Sequence, residues 1–173
     1  GNGHANAPSS ENAAKLVRSL LEQSVRSHLI ADVPVGVFLS SGIDSTALAA
    51  LASREVSGVH TFTVAFPEDE FSEATIARRT AERLGTTHSE VMLSGDDMLA
   101  RLGEAVGALD QPTMDGINTY FVSASAREAG LKVALSGLGG DEVFGGYKTF
   151  QRTPQFARVA RAGNYVPAGL KSA

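Results

Sequence analysis

The sequence predicts an α/β fold, a parallel sheet with helices on both faces, and three observations lead to it. Short β-rich apolar runs alternate with longer stretches whose apolar residues recur at three- and four-residue steps. Glycine or proline stands where the period changes, at Pro34, Gly58, Pro67, Gly85, Gly130 and Gly137. Small and polar residues gather directly behind the short runs, and open parallel sheets bind ligands at the carboxyl ends of their strands.

Taken in order, Gly1 to Ser9 is small, polar and patternless and reads as a flexible leader or linker. The expected boundaries are therefore residues 1–10 for this leader, 11–150 for the folded domain and 151–173 for a partly ordered tail. Ala13, Leu16, Val17, Leu20, Leu21, Val25 and Leu29 mark a first helix, with Ser10 as N-cap and Glu11 in the first turn. Asp32 and Pro34 end it. Val35 to Leu39 is a short buried strand, followed by the turn Ser40, Ser41, Gly42. Asp44 and Ser45 open an Ala- and Leu-rich helix that ends near Gly58.

Thr61 to Phe66 is a second strand, stopped by Pro67. Ser72 caps the next helix, with Ile76, Ala77, Ala81 and Leu84 on its apolar face and Gly85 behind it. Ser89 to Leu93 is a third strand. Ser94 and Asp97 have capping-box spacing, and Met98, Leu102, Val106 and Leu109 give one helix face. A loop with Asp110, Gln111, Pro112 and Asp115 leads into a helix over Ile117 to Glu128. Lys132 to Leu135 is the fourth strand. Gly137, Gly139 and Gly140 make a second glycine-rich turn before Asp141, Glu142, Val143 and Phe144, and the last helix closes at Gly145 to Tyr147.

The segment Val35 to Thr46 carries the chemistry. A strand, a small-residue turn and a helix N-terminus make an anion site, because the N–H groups of the first helical turn lack partners and the helix dipole favours negative charge. Ser40 and Ser45 can add hydroxyl donors. Asp44 cannot bind phosphate directly, so its presence implies a metal ion between it and the phosphates. A Walker A loop is excluded because no lysine lies near the turn, and the dinucleotide pattern Gly-x-Gly-x-x-Gly is absent. Asp141 and Glu142 open a helix after the fourth strand. Taken alone they complement a helix dipole, worth about 0.3–1 kcal/mol. With Asp44 across a phosphate site, Asp141 becomes a second magnesium ligand.

Composition narrows the rest. The 173 residues suffice for one domain with its own core, and 43% hydrophobic against 20% charged residues excludes global disorder. A net charge of −4 argues against broad nucleic-acid or membrane binding. Absence of cysteine removes disulfides and a thiol nucleophile. His4, His28, His60 and His88 have no metal-ligand spacing. No signal peptide and no apolar run of spanning length is visible, so the expected location is cytoplasmic. Oligomeric state is open.

Ser40-Ser41-Gly42-Ile43-Asp44-Ser45 resembles the pyrophosphate loop of the N-type ATP pyrophosphatases, Ser-Gly-Gly-x-Asp-Ser. Leu135-Ser136-Gly137-Leu138-Gly139-Gly140-Asp141-Glu142-Val143-Phe144-Gly145-Gly146-Tyr147 is similar to the second signature of glutamine-hydrolysing asparagine synthetases. So are Asp32 to Gly36, Asp110-Gln111-Pro112 and Asp115 to Tyr120, and the likeness runs from about Glu11 to Phe150. The resemblance implies an adenine nucleotide α-hydrolase-like (PP-loop) three-layer sandwich with ATP and Mg2+ as cofactors. It puts adenine on Leu39, Val64, Ser136 and Gly137, the triphosphate on the loop residues Ser40, Ser41, Gly42 and Ser45, and magnesium on Asp44 and Asp141. It further implies that the aspartate side-chain carboxylate attacks the α-phosphorus, releasing pyrophosphate, and that ammonia then displaces AMP. The ammonia comes from a glutaminase domain that this chain lacks, and no catalytic residue is assigned. Three strand ends are expected to converge on one pocket, with Asp44 and Asp141 sharing a cation.

Ser41 stands where the loop often has glycine, so its φ is expected to be negative and its side chain to point away from the phosphates. Leu138 stands where many relatives have Glu or Asp. The family also supplies a lysine near the α-phosphate that Lys148, Arg152 and Lys171 do not match. The chain reads as an excised piece of a synthetase domain that binds ATP weakly without making asparagine. Two other readings stay open: a related adenylating enzyme acting on another carboxylate, and a nucleotide-binding module without catalysis.

Overall fold

A computed structural model describes residues 9–67, 73–113, 115–150 and 152–154. The expected cap Ser72, the leader before Ser9 and the tail after residue 154 lie outside them. The chain divides into two units, Gly1–Ser136 and Gly137–Ala173.

The first unit holds α1 (Ser10–His28), β1 (Val35–Phe38), α2 (Ile43–Glu55), β2 (His60–Ala65), α3 (Glu73–Leu84), β3 (Thr87–Met92), α4 (Gly95–Ala100), α5 (Leu102–Gly107), α6 (Gly116–Glu128) and β4 (Val133–Leu135). The four strands are parallel in the order β3-β2-β1-β4. Register pairs Phe38 with Phe62 and Val37 with Leu135, which places β1 centrally. The chain steps outward from β1 to β2 and β3, then returns to lay β4 on the other side of β1. Such a reversal opens a crevice at the carboxyl ends of the two strands.

Side-chain alternation divides the core. Val37 and Leu39 of the β1 region pack with Val25 of α1, Ala49 and Ala52 of α2, and Ala77 and Ala81 of α3. On the opposite face Phe62 packs with Ala126 and Leu131, flanked by Phe38, Val64 and Val91. Helices therefore cover both faces of the sheet, as expected. Alanines at the α2 and α3 contacts let the helices lie close to the strands. Gly36 makes room for Leu131 and the neighbouring strand, since a Cβ there would sit 2.9 Å from the Leu131 methyls and 3.3 Å from the His60 carbonyl.

Several details differ from expectation. Ser9, not Ser10, caps α1 by accepting from Asn12 N–H at 3.3 Å, because Ser10 already has helical geometry. Only the second half of α1 reaches the core: Leu16 and Leu20 are more than half exposed, whereas Val25 is buried. The single helix expected after Ser94 is two, broken at Arg101 (φ −104°, ψ 8°). The break turns Ala105 inward and leaves Leu102 and Val106 exposed. The Ser94–Asp97 capping box is present. Strand ends shift by one or two residues, as with Leu39, which lies just beyond β1 yet donates its N–H to the Phe62 carbonyl at 2.8 Å.

The second unit contains α7 (Gly140–Phe144). Its N-cap Gly139 and its C-cap Gly145 both have positive φ, 93° and 70°.

Candidate functional site

The turn between β1 and α2 is built from side chains. Ser40 N–H donates to Ser45 Oγ at 3.1 Å, and the Ser40 and Ser45 hydroxyls are 2.9 Å apart. Gly42 N–H donates to Ser40 Oγ at 3.2 Å, and Ser45 Oγ donates to the Gly42 carbonyl at 3.1 Å. Ser45 is buried at 7% exposure, so it acts as the inner pin of the turn. No non-glycine residue among those described has positive φ, which places Ser41 in negative φ as expected. Gly42, the N-cap of α2, has φ −73° and ψ 153°, conformations open to any residue. Its glycine character answers proximity: a Cβ would lie 3.2 Å from Ser40 Oγ.

Past the turn, Thr46 N–H is the first to close a helical bond, to the Gly42 carbonyl at 3.2 Å. The N–H groups of Ile43, Asp44 and Ser45 lie before it in the first turn, where α2 offers them no acceptor. Together with the dipole of a 13-residue helix they make an anion-attracting surface. Ile43 beside them is 83% exposed.

The neighbouring strands bring the other residues up. Register continued from Gly36 and His60 sets Ser40 level with Val64 at the end of β2. Thr63, buried in β2, donates its hydroxyl to the Leu39 carbonyl and ties the end of β1 to its neighbour. Register from Val37 and Leu135 sets Phe38 level with Ser136, one residue past β4. Leu39, Ser40, Ser41, Gly42, Asp44, Ser45, Val64 and Ser136 thus gather at one edge of the first unit. Gly137 follows Ser136 in the chain but opens the second unit, where its carbonyl accepts from Gly140 N–H at 3.2 Å.

Asp141 lies in α7. A Cβ on Gly146 would collide with its carboxylate, so the missing side chain at Gly146 makes the room for Asp141. Glu142 is engaged by the Tyr147 hydroxyl, which donates at 2.9 Å and whose pKa this bond raises above the usual tyrosine value. Neither Asp44 nor Asp141 has a cationic partner among the described residues.

A match to the asparagine synthase family model extends over residues 16–170. The chain belongs to the asparagine synthase family. It is 44% identical over 157 residues to a protein of Mycobacterium tuberculosis provisionally described as a glutamine-hydrolysing asparagine synthetase, covering 90% of this chain and 23% of that protein. It is 37% identical to asparagine synthetase 1 of Bacillus subtilis, over 91% of this chain and 24% of the relative. The asparagine synthetase B of Escherichia coli is 34% identical, over 80% of this chain and 28% of its own length. The chain thus spans about a quarter of the length of these asparagine synthase relatives. Among solved structures, an NMN synthetase from Francisella tularensis matches 66% of this chain and 50% of its own with a TM-score of 0.47 at 18% identity.

Two groups of polar residues in this family member escaped the sequence reading. Thr63 is one; its signal was a Thr at a strand position whose alternation faces the core. The other joins β2, β3 and α3. Thr61 Oγ1 lies 2.8 Å from Thr86 Oγ1 and 2.9 Å from His88 Nδ1, and Arg78 makes two hydrogen bonds to Glu90 at 2.8 and 2.6 Å. Burial lowers the His88 pKa from 6.5, opposed by Glu90 at 3.3 Å from Nε2. This network braces the sheet away from the β1–α2 turn. A cavity of about 690 Å³ is lined by Phe38, Arg127, Leu131 and Lys132 and by no residue of that turn.

Proposed function

We propose that this chain is the ATP-binding part of an asparagine synthetase, which adenylates the aspartate side-chain carboxylate with release of pyrophosphate and then amidates it with ammonia derived from glutamine. The observation that supports it best is the β1–α2 turn, where the first-turn N–H groups of α2 stand beside two paired serines and Asp44. In this reading Leu39, Val64, Ser136 and Gly137 hold adenine. Ser40, Ser41, Gly42 and Ser45 hold the triphosphate. Asp44 and Asp141 would hold magnesium, which when bound neutralises charge on the leaving pyrophosphate. The chain's own part is to bind the nucleotide and align the α-phosphorus with the incoming carboxylate, since proximity and charge stabilisation carry such a transfer. The ammonia source is a glutaminase domain of the longer protein, and the setting is cytoplasmic. In this reading the 173-residue chain by itself binds ATP weakly and does not make asparagine.

Calorimetric titration with ATP and Mg2+ tests this. Asp44→Asn and Asp141→Asn are each expected to weaken binding by about tenfold or more, as charge-assisted contacts are worth about 1.5–3 kcal/mol. Binding unchanged in both variants would remove the metal assignment. Aspartate-dependent release of pyrophosphate by the purified chain would overturn its inactivity. A second reading has support in the 34% identity to the amidase chyE of Penicillium rubens over 84% of this chain. In this second reading the turn of the present chain serves a different carboxylate. Exchange of pyrophosphate into ATP by the full-length protein, screened over amino acids, separates the two.

A further inference from the structure

We propose that the two serine hydroxyls of the turn have separate tasks: the Ser45 hydroxyl positions the loop and leaves the Ser45 backbone N–H to the phosphates, and the Ser40 hydroxyl is a stopper on Gly42 N–H that an entering pyrophosphate group displaces. The proposal rests on the nucleotide-binding reading and adds to it how the site is kept closed when empty. A count of protons leads there. Each hydroxyl has one proton to give and two lone pairs to receive. Among the described residues Ser40 Oγ has one acceptor in reach, Ser45 Oγ at 2.9 Å, and it receives Gly42 N–H at 3.2 Å. Ser45 Oγ receives Ser40 N–H at 3.1 Å, and its own proton has the Gly42 carbonyl at 3.1 Å and the Ser40 carbonyl at 3.4 Å. One assignment satisfies all of these: Ser40 gives to Ser45, and Ser45 gives to a backbone carbonyl. Both hydroxyl protons and the Gly42 amide are then spent inside the turn.

The two residues differ in what they can release. Ser45 is buried at 7% exposure and holds backbone groups of Ser40 and Gly42, so moving it dismantles the loop. Ser40 is half-buried, and one rotation about its Cα–Cβ bond frees two donors together, its own hydroxyl and the Gly42 amide. These would join the first-turn N–H groups of Ile43, Asp44 and Ser45. The absent Cβ at Gly42 eases the closed rotamer, since a Cβ would stand 3.2 Å from Ser40 Oγ and oblige it to give by a few tenths of an ångström.

The test is nuclear magnetic resonance of the full 173-residue chain titrated with inorganic pyrophosphate and Mg2+. In the wild type the Gly42 amide resonance and the Ser40 χ1-dependent couplings are expected to change together, with the Ser45 couplings constant. Ser40→Ala should show the displaced Gly42 amide before any ligand is added and bind pyrophosphate about three- to tenfold more weakly than wild type, because a donor to the phosphates is lost. Ser45→Ala should weaken binding about tenfold and remove exchange protection from Ser40 N–H, with Ser45→Thr restoring that protection. Pyrophosphate that shifts Ile43 and Asp44 amides but leaves Gly42 and Ser40 unchanged overturns the stopper and leaves the binding site standing. Absence of any loop shift at saturating pyrophosphate removes the binding reading, and the stopper with it.

Discussion

The turn after β1 contains one glycine and no positive φ, whereas the turn after β4 carries Gly139 at 93° and Gly145 at 70°. In the first, hydroxyls define the path of the backbone, and the helix that follows runs 13 residues across the core. In the second, the backbone takes left-handed conformations that side chains disfavour, and the helix is five residues long with Val143 and Phe144 exposed. The first turn should therefore be sensitive to loss of a side chain and tolerant of an added Cβ. The second should show the reverse.

Four substitutions and one titration bear on that contrast. Ser45→Ala has the largest expected effect, about 1–3 kcal/mol lost in urea unfolding, because it strands the half-buried Ser40 N–H. Gly139→Ala should lose about 1–2 kcal/mol from left-handed strain alone, since no atom lies within 4 Å of the added Cβ; amide exchange in α7 reads it. A loss at Gly42→Ala larger than at Gly139→Ala would break the comparison; the expectation is about 1 kcal/mol or less, from crowding Ser40 Oγ. Ser41→Gly should cost about 0.5 kcal/mol through the unfolded chain, and a gain in thermal stability would mean that Ser41 prefers positive φ after all.

The pH titration compares the units through His88 and Tyr147. Burial holds the folded His88 pKa below 6.5, so the unfolded chain binds the proton more readily. Stability of the first unit is then complete above pH 6.5 and declines as pH falls through and below that value. Glu90, whose pKa the Arg78 hydrogen bond lowers from 4.5, adds a further loss at more acid pH. His88→Gln should flatten the decline nearer pH 6. Tyr147 shifts upward, so α7 should show no matching change in that range.

Much of this was readable in the residues. Strands were visible because Val, Phe and Thr runs lie between Gly and Pro, and the turn at Ser40 because small residues follow an apolar run. The break at Arg101 was not. No breaker precedes it, and its position coincides with Arg101 reaching Glu104 at 3.4 Å and Glu128 at 3.2 Å, the latter distant in sequence. Adjacent serines hid the true cap of α1, since Ser9 and Ser10 offer the same hydroxyl and only backbone conformation chooses between them. The serines of the turn were found, but not their pairing. Which acceptor a hydroxyl meets depends on three-dimensional neighbours, and here they bond to each other.

The strand order has a consequence for how the protein comes to be made. β1 is laid down early, yet its second neighbour β4 begins at Val133, nearly a hundred residues later. During synthesis the first three strands can pair while the far wall of the crevice has yet to leave the ribosome, and closing so long an interval is slow. β4 is also only three residues long, so it is the strand that local opening would release first, and with it goes the edge that carries Ser136.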